Sequence, residues 1–297
     1  MPRLSAPRTG RASRIGWRAA TCSTLDRGTR GGAAMSHDAM TQPAPDRLKF
    51  TTIAHATHRY LSPLSAEKAT RLVDGLALRE GAEVLDIGCG RAGFLLDLCE
   101  RSPANGLGVD INSTFIAAAR AEASRRGLDA RVRLVDRALA DVVGDAARFD
   151  AIVCMGSSQA LGTFVEALAW AYAHLAPGGV ALFADGFWRR RPDPGYLEAL
   201  GGATEDEMNT HAGNTRLARE AGFRVLSTAC ASEDEWDAYE GRYCAAIERY
   251  VDANPTDPDT PAMAARIRAW HEAYLTWGRD TLGFGFYTLM KPAAHGL

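Results

Sequence analysis

From about residue 50 the chain settles into short apolar runs separated by amphipathic stretches. Ala69, Leu72, Val73 and Leu76 fall on one helical face, and Ser65 stands where a side chain can cap that helix. EVLDI (83–87) is a continuous apolar strand, and a glycine-rich turn leads from it into a helix. GLGVD (106–110) reads as a second strand, and NSTFIAAARAEASRRG as a second helix with Ser113 in the cap position. RVRLV (131–135) alternates as a third strand. FDAIVCM (149–155) is a fourth, followed by a helix around ALAWAYAHL, and GGVALFAD (178–185) is a fifth. Strands alternating with helices at this spacing predict a parallel sheet covered on both faces.

The end of the chain breaks that alternation. FRVLSTACA (223–231) reads as a sixth strand, and some fifty helical, Trp- and Tyr-rich residues follow it. LGFGFYTLMK (282–291) returns as a strand, with Phe284, Phe286 and Thr288 alternating against glycines. After so long an excursion, the last strand is expected antiparallel beside its predecessor. No internal repeat or linker divides residues 46–297, so one domain is expected there, with helical lid segments around 50–65, 187–218 and 233–280.

Composition narrows the classes. The 297 residues are 46% hydrophobic, enough for a sizeable core. A net charge of -2 gives no case for nucleic acid or a membrane surface as partner. The six cysteines show neither CxxC nor Cys/His ligand spacing. They suit reduced thiols in a cytoplasmic protein, and neither a disulfide framework nor a metal site is expected. No apolar run approaches the roughly 18 residues that a membrane span needs. Residues 1–45 differ from the rest: the first 35 carry seven arginines and one acid without apolar periodicity. They are expected to be a disordered extension, with Met35 or Met40 as alternative starts.

The candidate chemistry lies in VLDIGCGRAGFLLDL (84–98). Gly88 and Gly90 follow the strand where the chain must turn sharply and let a ligand lie against backbone. Gly93 opens the helix, where a small residue is expected to let it pack close to the strand. Asp110 ends the second strand, where a carboxylate can accept bonds from both hydroxyls of a ribose. Nicotinamide sites share this logic. Asp86, two residues before the first glycine, is awkward beside a pyrophosphate and suits a cationic ligand. S-adenosylmethionine, with a sulfonium and an ammonium and no phosphate, fits it better.

VLDIGCGRAG, GVDIN, FDAIVCMGSS and LAPGGVALFAD, in that order across roughly residues 60–290, resemble the successive motifs of a class I S-adenosylmethionine-dependent methyltransferase. The resemblance implies a doubly wound, Rossmann-like α/β sheet of seven strands, mostly parallel with its last strand antiparallel. It implies that Asp86, Gly88, Cys89, Gly90 and Gly93 hold the methionine moiety, with Cys89 as a small packing residue. Asp110 and the adjacent Ile111 would hold the ribose. Asp136 falls where the family often places an acid near the adenine amino group, although Asp141 competes for the role. Cys154, Met155 and Gly156 would line the pocket beside the methyl group. CMGSSQALGTFVEAL, GFWRRRPDP and EWDAYE further resemble a bacterial branch of the small-molecule methyltransferases.

The acceptor side is less determined. His55, His58 and Tyr60 lie just ahead of the first helix, where the family places a lid, and Asp185 ends the fifth strand. His55, His58 and Asp185 are the candidate catalytic groups; Tyr60, Trp188, Tyr196, Trp236 and Tyr239 are the candidate substrate contacts. Each has a plainer reading as packing, and Trp236, Tyr239 and Tyr243 recur at the spacing of a packing stripe. CMGSS lacks the Asn/Asp-Pro-Pro-Tyr of base-extruding enzymes, and no Pro-Cys pair marks a cytosine nucleophile, so nucleic acid is not expected as substrate. The expectation is methyl transfer to nitrogen or oxygen of a small molecule. An NAD(P)-dependent oxidoreductase and a non-catalytic S-adenosylmethionine-binding module stand as alternatives, and the oligomeric state is left open.

Overall fold

The structure is a computed structural model and describes residues 47–293. The expectation of disorder over residues 1–45 lies outside the described residues. Seven strands form one sheet: β1 (Glu83–Ile87), β2 (Asn105–Val109), β3 (Val132–Val135), β4 (Phe149–Met155), β5 (Leu175–Trp188), β6 (Arg224–Cys230) and β7 (Leu282–Met290). Their order is β3-β2-β1-β4-β5-β7-β6. Among the pairs β3-β2, β2-β1, β1-β4 and β4-β5 all run parallel, and β7 runs antiparallel to both of its neighbours. The last strand therefore lies beside its predecessor as expected, but wedged between β6 and β5.

That wedge explains why β5 is longer than the apolar run 178–185. Its ladder with β7 continues to Trp188 opposite Leu282, well past the point where β4 stops pairing. Trp188 thereby becomes a strand residue.

The helices are α1 (Arg47–Ala54), α2 (Ala66–Gly75), α3 (Gly93–Arg101), α4 (Ser113–Arg125), α5 (Phe164–His174), α6 (Pro194–Ala199), α7 (His211–Glu220), α8 (Glu233–Ala253) and α9 (Thr260–Ala273). Ser65 caps α2 as expected, accepting from the Lys68 amide. The cap of α4 is Asn112 and not Ser113, because the Asn112 side chain accepts from both the Thr114 and Phe115 amides. A Thr163–Glu166 capping box starts α5.

Alternation along the strands divides the core. Val84, Val153, Leu182, Phe284 and Phe286 face one side with α2, α3 and α8; Leu85, Ile87, Ile152, Phe183, Tyr287 and Leu289 face the other with α5 and α7. Residues 211–218, expected above the sheet edge, lie in α7 and pack Leu217 and Ala218 into this second core. A smaller third cluster, with Phe50, Ala54, Tyr243, Ile247, Met263 and Ile267, joins α1 to α8 and α9.

A buried ion pair fastens α8 to α2. Lys68 Nζ bonds the Glu235 carboxylate and the Cys230 carbonyl, while Glu235 accepts from the Ser65 and Ser232 amides. Burial alone would raise the Glu235 carboxyl, but Lys68 and these hydrogen bonds hold it down, to about 2. Glu235→Ala should destabilise the protein by about 3 kcal/mol in denaturant titration, because it leaves the Lys68 ammonium buried without its counter-ion. A loss below about 1 kcal/mol would mean that the pair is worth no more than an exposed one.

Candidate active site

The sheet order reverses between β1 and β4, so a crevice opens at the carboxyl ends of those strands. β1 delivers Asp86 to its edge. Alternation places Asp86 on the same face as Val84, and in register it lies between Gly108 and Val153. Its carboxylate is only 4% exposed, yet among the described residues neither a cation nor a hydrogen-bond donor meets it. Burial, and to a lesser extent the Asp110 carboxylate, push its carboxyl well above the ordinary range.

The turn that follows needs its glycines, but not all for the expected reason. Gly88 and Gly90 have φ of 64° and 55°, in the left-handed region that glycine enters without strain. A Cβ on Gly88 would lie 2.5 Å from Ser157 Cβ, and one on Gly93 would lie 2.0 Å from the Arg59 carbonyl oxygen. The smallness of Gly93 thus serves the approach of an incoming segment, not close packing of α3 on the strand. Arg59, Tyr60, Leu61 and Ser62 cross the turn and close a small cavity against Asp86, Gly88, Cys89, Gly93 and Met155.

Asp110 stands just beyond β2, with Oδ2 accepting from the Gly90 amide and Oδ1 from the Asn112 amide, both at 2.8 Å. Burial raises its carboxyl, and the amides of Asn112, Gly90 and Ile111 oppose that rise. Ile111 beside it is 68% exposed, an apolar side chain open at the cleft's edge. Asp136 is exposed and pairs with Arg120 Nη2 at 3.1 Å; Asp141 is exposed too, on the short turn Leu139–Asp141. Cys154 departs from expectation. It belongs to the second core, on the face opposite Asp86, and bonds Ser157 Oγ at 3.4 Å. Of Cys154, Met155 and Gly156, it is Met155 that lines the cavity. Burial pushes the Cys154 thiol up to about 12 and that of Cys89 well above its ordinary value, so both are protonated near neutrality.

The expected acceptor residues divide into separate groups. His55 Nδ1 lies 2.9 Å from the Thr51 carbonyl oxygen and Nε2 2.9 Å from the Tyr239 hydroxyl. A carbonyl only accepts, so Nδ1 carries the hydrogen and Nε2 accepts from Tyr239. Burial lowers this imidazole to about 3. His58 Nε2 donates to the Tyr239 carbonyl at 3.0 Å. The two histidines therefore tie the segment after α1 to α8. Tyr60 donates to Asp97 Oδ2 at 2.5 Å, and Trp188 Nε1 to the Glu205 carbonyl at 2.9 Å. Trp188, Tyr196, Trp236 and Tyr239 are all buried in the first core. Trp188 meets Tyr196, and Trp236 packs on Tyr239, Tyr274 and Phe284. Asp185 is buried on the other face, accepting from Ser158 Oγ at 2.5 Å and the Gly186 amide at 2.7 Å. Burial raises it to about 6.

Sequence reasoning missed several contributors. Ser157 Oγ donates to the Ile87 carbonyl at 2.5 Å, joining the loop after β4 to the end of β1. Asn112, besides capping α4, donates to Thr52 Oγ1 at 2.8 Å, so α1 reaches the Asp110 end of the cleft. An Asn directly before STF was a usable cap signal; the docking of α1 had no local one. No described helix is long and apolar enough to cross a membrane.

A buried, unpartnered carboxylate beside a glycine turn, with a second carboxylate 20 residues on against the same turn, fits a ligand with one cationic group and a ribose. Known proteins agree. Residues 84–179 match the family described as a methyltransferase domain. YjhP of Escherichia coli is 27% identical over 82% of this chain and 98% of its own, and its crystal structure superposes with a TM-score of 0.77. A SAM-dependent methyltransferase of Thiobacillus denitrificans, in complex with S-adenosyl-L-homocysteine, is 29% identical over 81% of this chain and 97% of its own, with a TM-score of 0.75. Nocamycin O-methyltransferase of Saccharothrix syringae is 40% identical over 36% of this chain and 38% of its own. The chain is a class I S-adenosylmethionine-dependent methyltransferase, an enzyme whose cofactor is S-adenosylmethionine. Both alternatives, the nicotinamide enzyme and the non-catalytic module, fall away.

Asp110→Ala should weaken S-adenosylhomocysteine binding by about 2 kcal/mol, or roughly 30-fold, through lost charge-assisted bonds. Calorimetry gives the affinity, and an unchanged far-UV spectrum shows that the fold survives. Unaltered affinity would remove Asp110 from the ribose site.

Proposed function

We propose that this methyltransferase passes its methyl group to a nitrogen or oxygen of a small-molecule acceptor by in-line displacement. The observation that carries the cofactor half is Asp86, buried without a counter-ion among the described residues in the wall of the cavity. In this reading Asp86 takes the ammonium of the methionine moiety, the turn 88–93 lies along it, and Asp110 and Ile111 take the ribose. Met155 and Gly156 border the methyl group; Asp136 stays a candidate for the adenine side.

S-adenosylmethionine supplies a methyl group already activated on sulfur. The protein's share is then alignment, exclusion of water and, for a protonated acceptor, removal of a proton. Residues 50–65, the stretch 189–210 and α8–α9 form the proposed cover of the acceptor space, with Trp188, Tyr196, Trp236 and Tyr239 as its aromatic wall. His55 and His58 act there as positioning groups: each already spends a ring hydrogen on a carbonyl, and His55 is too weak a base near neutrality. Asp185 is the candidate base, since its carboxyl titrates at about 6 and its Ser158 hydrogen bond lies in the loop after β4. Nocamycin O-methyltransferase supports a small-molecule acceptor, but its likeness covers only 38% of that protein. A reducing, cytoplasmic location is part of the same proposal, supported by free thiols at Cys89, Cys99, Cys154, Cys230 and Cys244.

The proposal fixes the sign of a pH profile. Asp185 must be ionised to accept a proton, so kcat should rise with pH and level off above about 6. Asp185→Asn should lower kcat by about 100-fold and abolish that limb. A variant with the same limb as wild type would leave Asp185 a purely structural carboxylate.

A further inference from the structure

We propose that Asp97 is a positioning residue for the cofactor, a latch that holds residues 59–62 across the glycine turn and so completes the methionine end of the pocket. The inference rests on the cavity beside Asp86 being that end.

Asp97 lies in α3, one helical turn after Gly93 and on the same face. It is nearly buried and takes no part in the chemistry described above. Its carboxylate collects three donors. Arg59 Nη2 and Tyr60 Oη come from the crossing segment, the latter at 2.5 Å to Oδ2. Arg126 Nη1, from the end of α4, reaches Oδ1 at 2.7 Å.

The fit extends over the turn. The Arg59 carbonyl occupies the space a Cβ on Gly93 would fill, at 2.0 Å, and Leu61 Cδ2 would stand 2.7 Å from a Cβ on Gly90. On one face of α3, Gly93 therefore gives the segment room and Asp97 gives it an anchor. Arg59, Tyr60, Leu61 and Ser62 all line the cavity that holds Asp86. Displacing them removes a wall from the pocket without touching any group that reacts.

The three donors differ in what they tie down. Arg126 belongs to the α4 end of the sheet layer, and its side chain is only 10% exposed. Arg59 is about half exposed, and its partners move with the segment. When the segment lifts, Arg126 still neutralises Asp97, so release leaves no orphaned charge. The latch can open and close around a cofactor that the cleft must admit.

The test uses the full chain with S-adenosylhomocysteine as probe. Calorimetry gives Kd, amide exchange reports residues 58–62, and a thermal scan reports stability, for wild type, Asp97→Asn, Tyr60→Phe and Gly93→Ala. Asp97→Asn and Gly93→Ala should raise Kd about tenfold and Tyr60→Phe several-fold. Exchange over 58–62 should quicken in each free variant and slow again on binding. Kd within twofold of wild type in Tyr60→Phe and in every other folded variant would overturn the latch, whatever happens to the melting temperature. Wild type failing to bind the probe would overturn the underlying cofactor reading instead. Tyr60→Phe, which keeps the Asp97–Arg126 pair, decides the matter if Asp97→Asn does not fold.

Discussion

A carboxylate buried without a counter-ion is the constraint around which this molecule is arranged. Asp86 sits inside the central strand β1 where alternation turns it into the first core, and among the described residues nothing compensates it. Burying a charge alone is costly, and the group responds by holding its proton more tightly. A cationic ligand at that point reverses the penalty, because the interaction forms in a medium where water competes weakly. The same position inside β1 puts Asp86 at the reversal of strand order, where the crevice of a doubly wound sheet lies. Fold and cofactor chemistry thus meet at one residue.

What covers that residue is held by polar contacts between parts of the chain far apart in sequence. The segment from α1 to Ser62 is tied at three places: Thr52 to Asn112, the two histidines to Tyr239, and Arg59 with Tyr60 to Asp97. Each anchor joins the cover to a different element, namely the start of α4, α8 and α3. Neutral imidazoles suit this task, since they donate and accept within a buried space without requiring a counter-ion. The aromatic layer of Trp236, Tyr239 and Tyr274 then seats α8 on the sheet through Phe284.

The parts legible in the sequence are those written in local patterns. Apolar runs at strand length, the glycine turn and acids at Asp86 and Asp110 needed only neighbours along the chain. Strand alternation could also have separated Cys154 from Met155, since adjacent strand residues point to opposite faces. The position of β7 between β5 and β6 was not legible, because periodicity carries no strand order. The role of Gly93 was misjudged for a similar reason: the group that needs its space is Arg59, from a segment that packs there only in the folded chain. Asp97, one turn further on, had the spacing of a surface residue until Tyr60 and Arg126 were seen to converge on it. The buried tyrosines and tryptophans fit a packing stripe and a substrate wall equally well by spacing alone.

The most direct measurement of the central claim is a calorimetric cycle with wild type and Asp86→Asn against two ligands. One is S-adenosylhomocysteine; the other is 5′-methylthioadenosine, which keeps the adenosine and lacks the amino-acid portion. If Asp86 holds the ammonium, the variant should lose at least about tenfold in affinity for the first ligand and little for the second, a coupling of roughly 1.4 kcal/mol or more. Equal losses for both ligands, or none for either, would contradict the account.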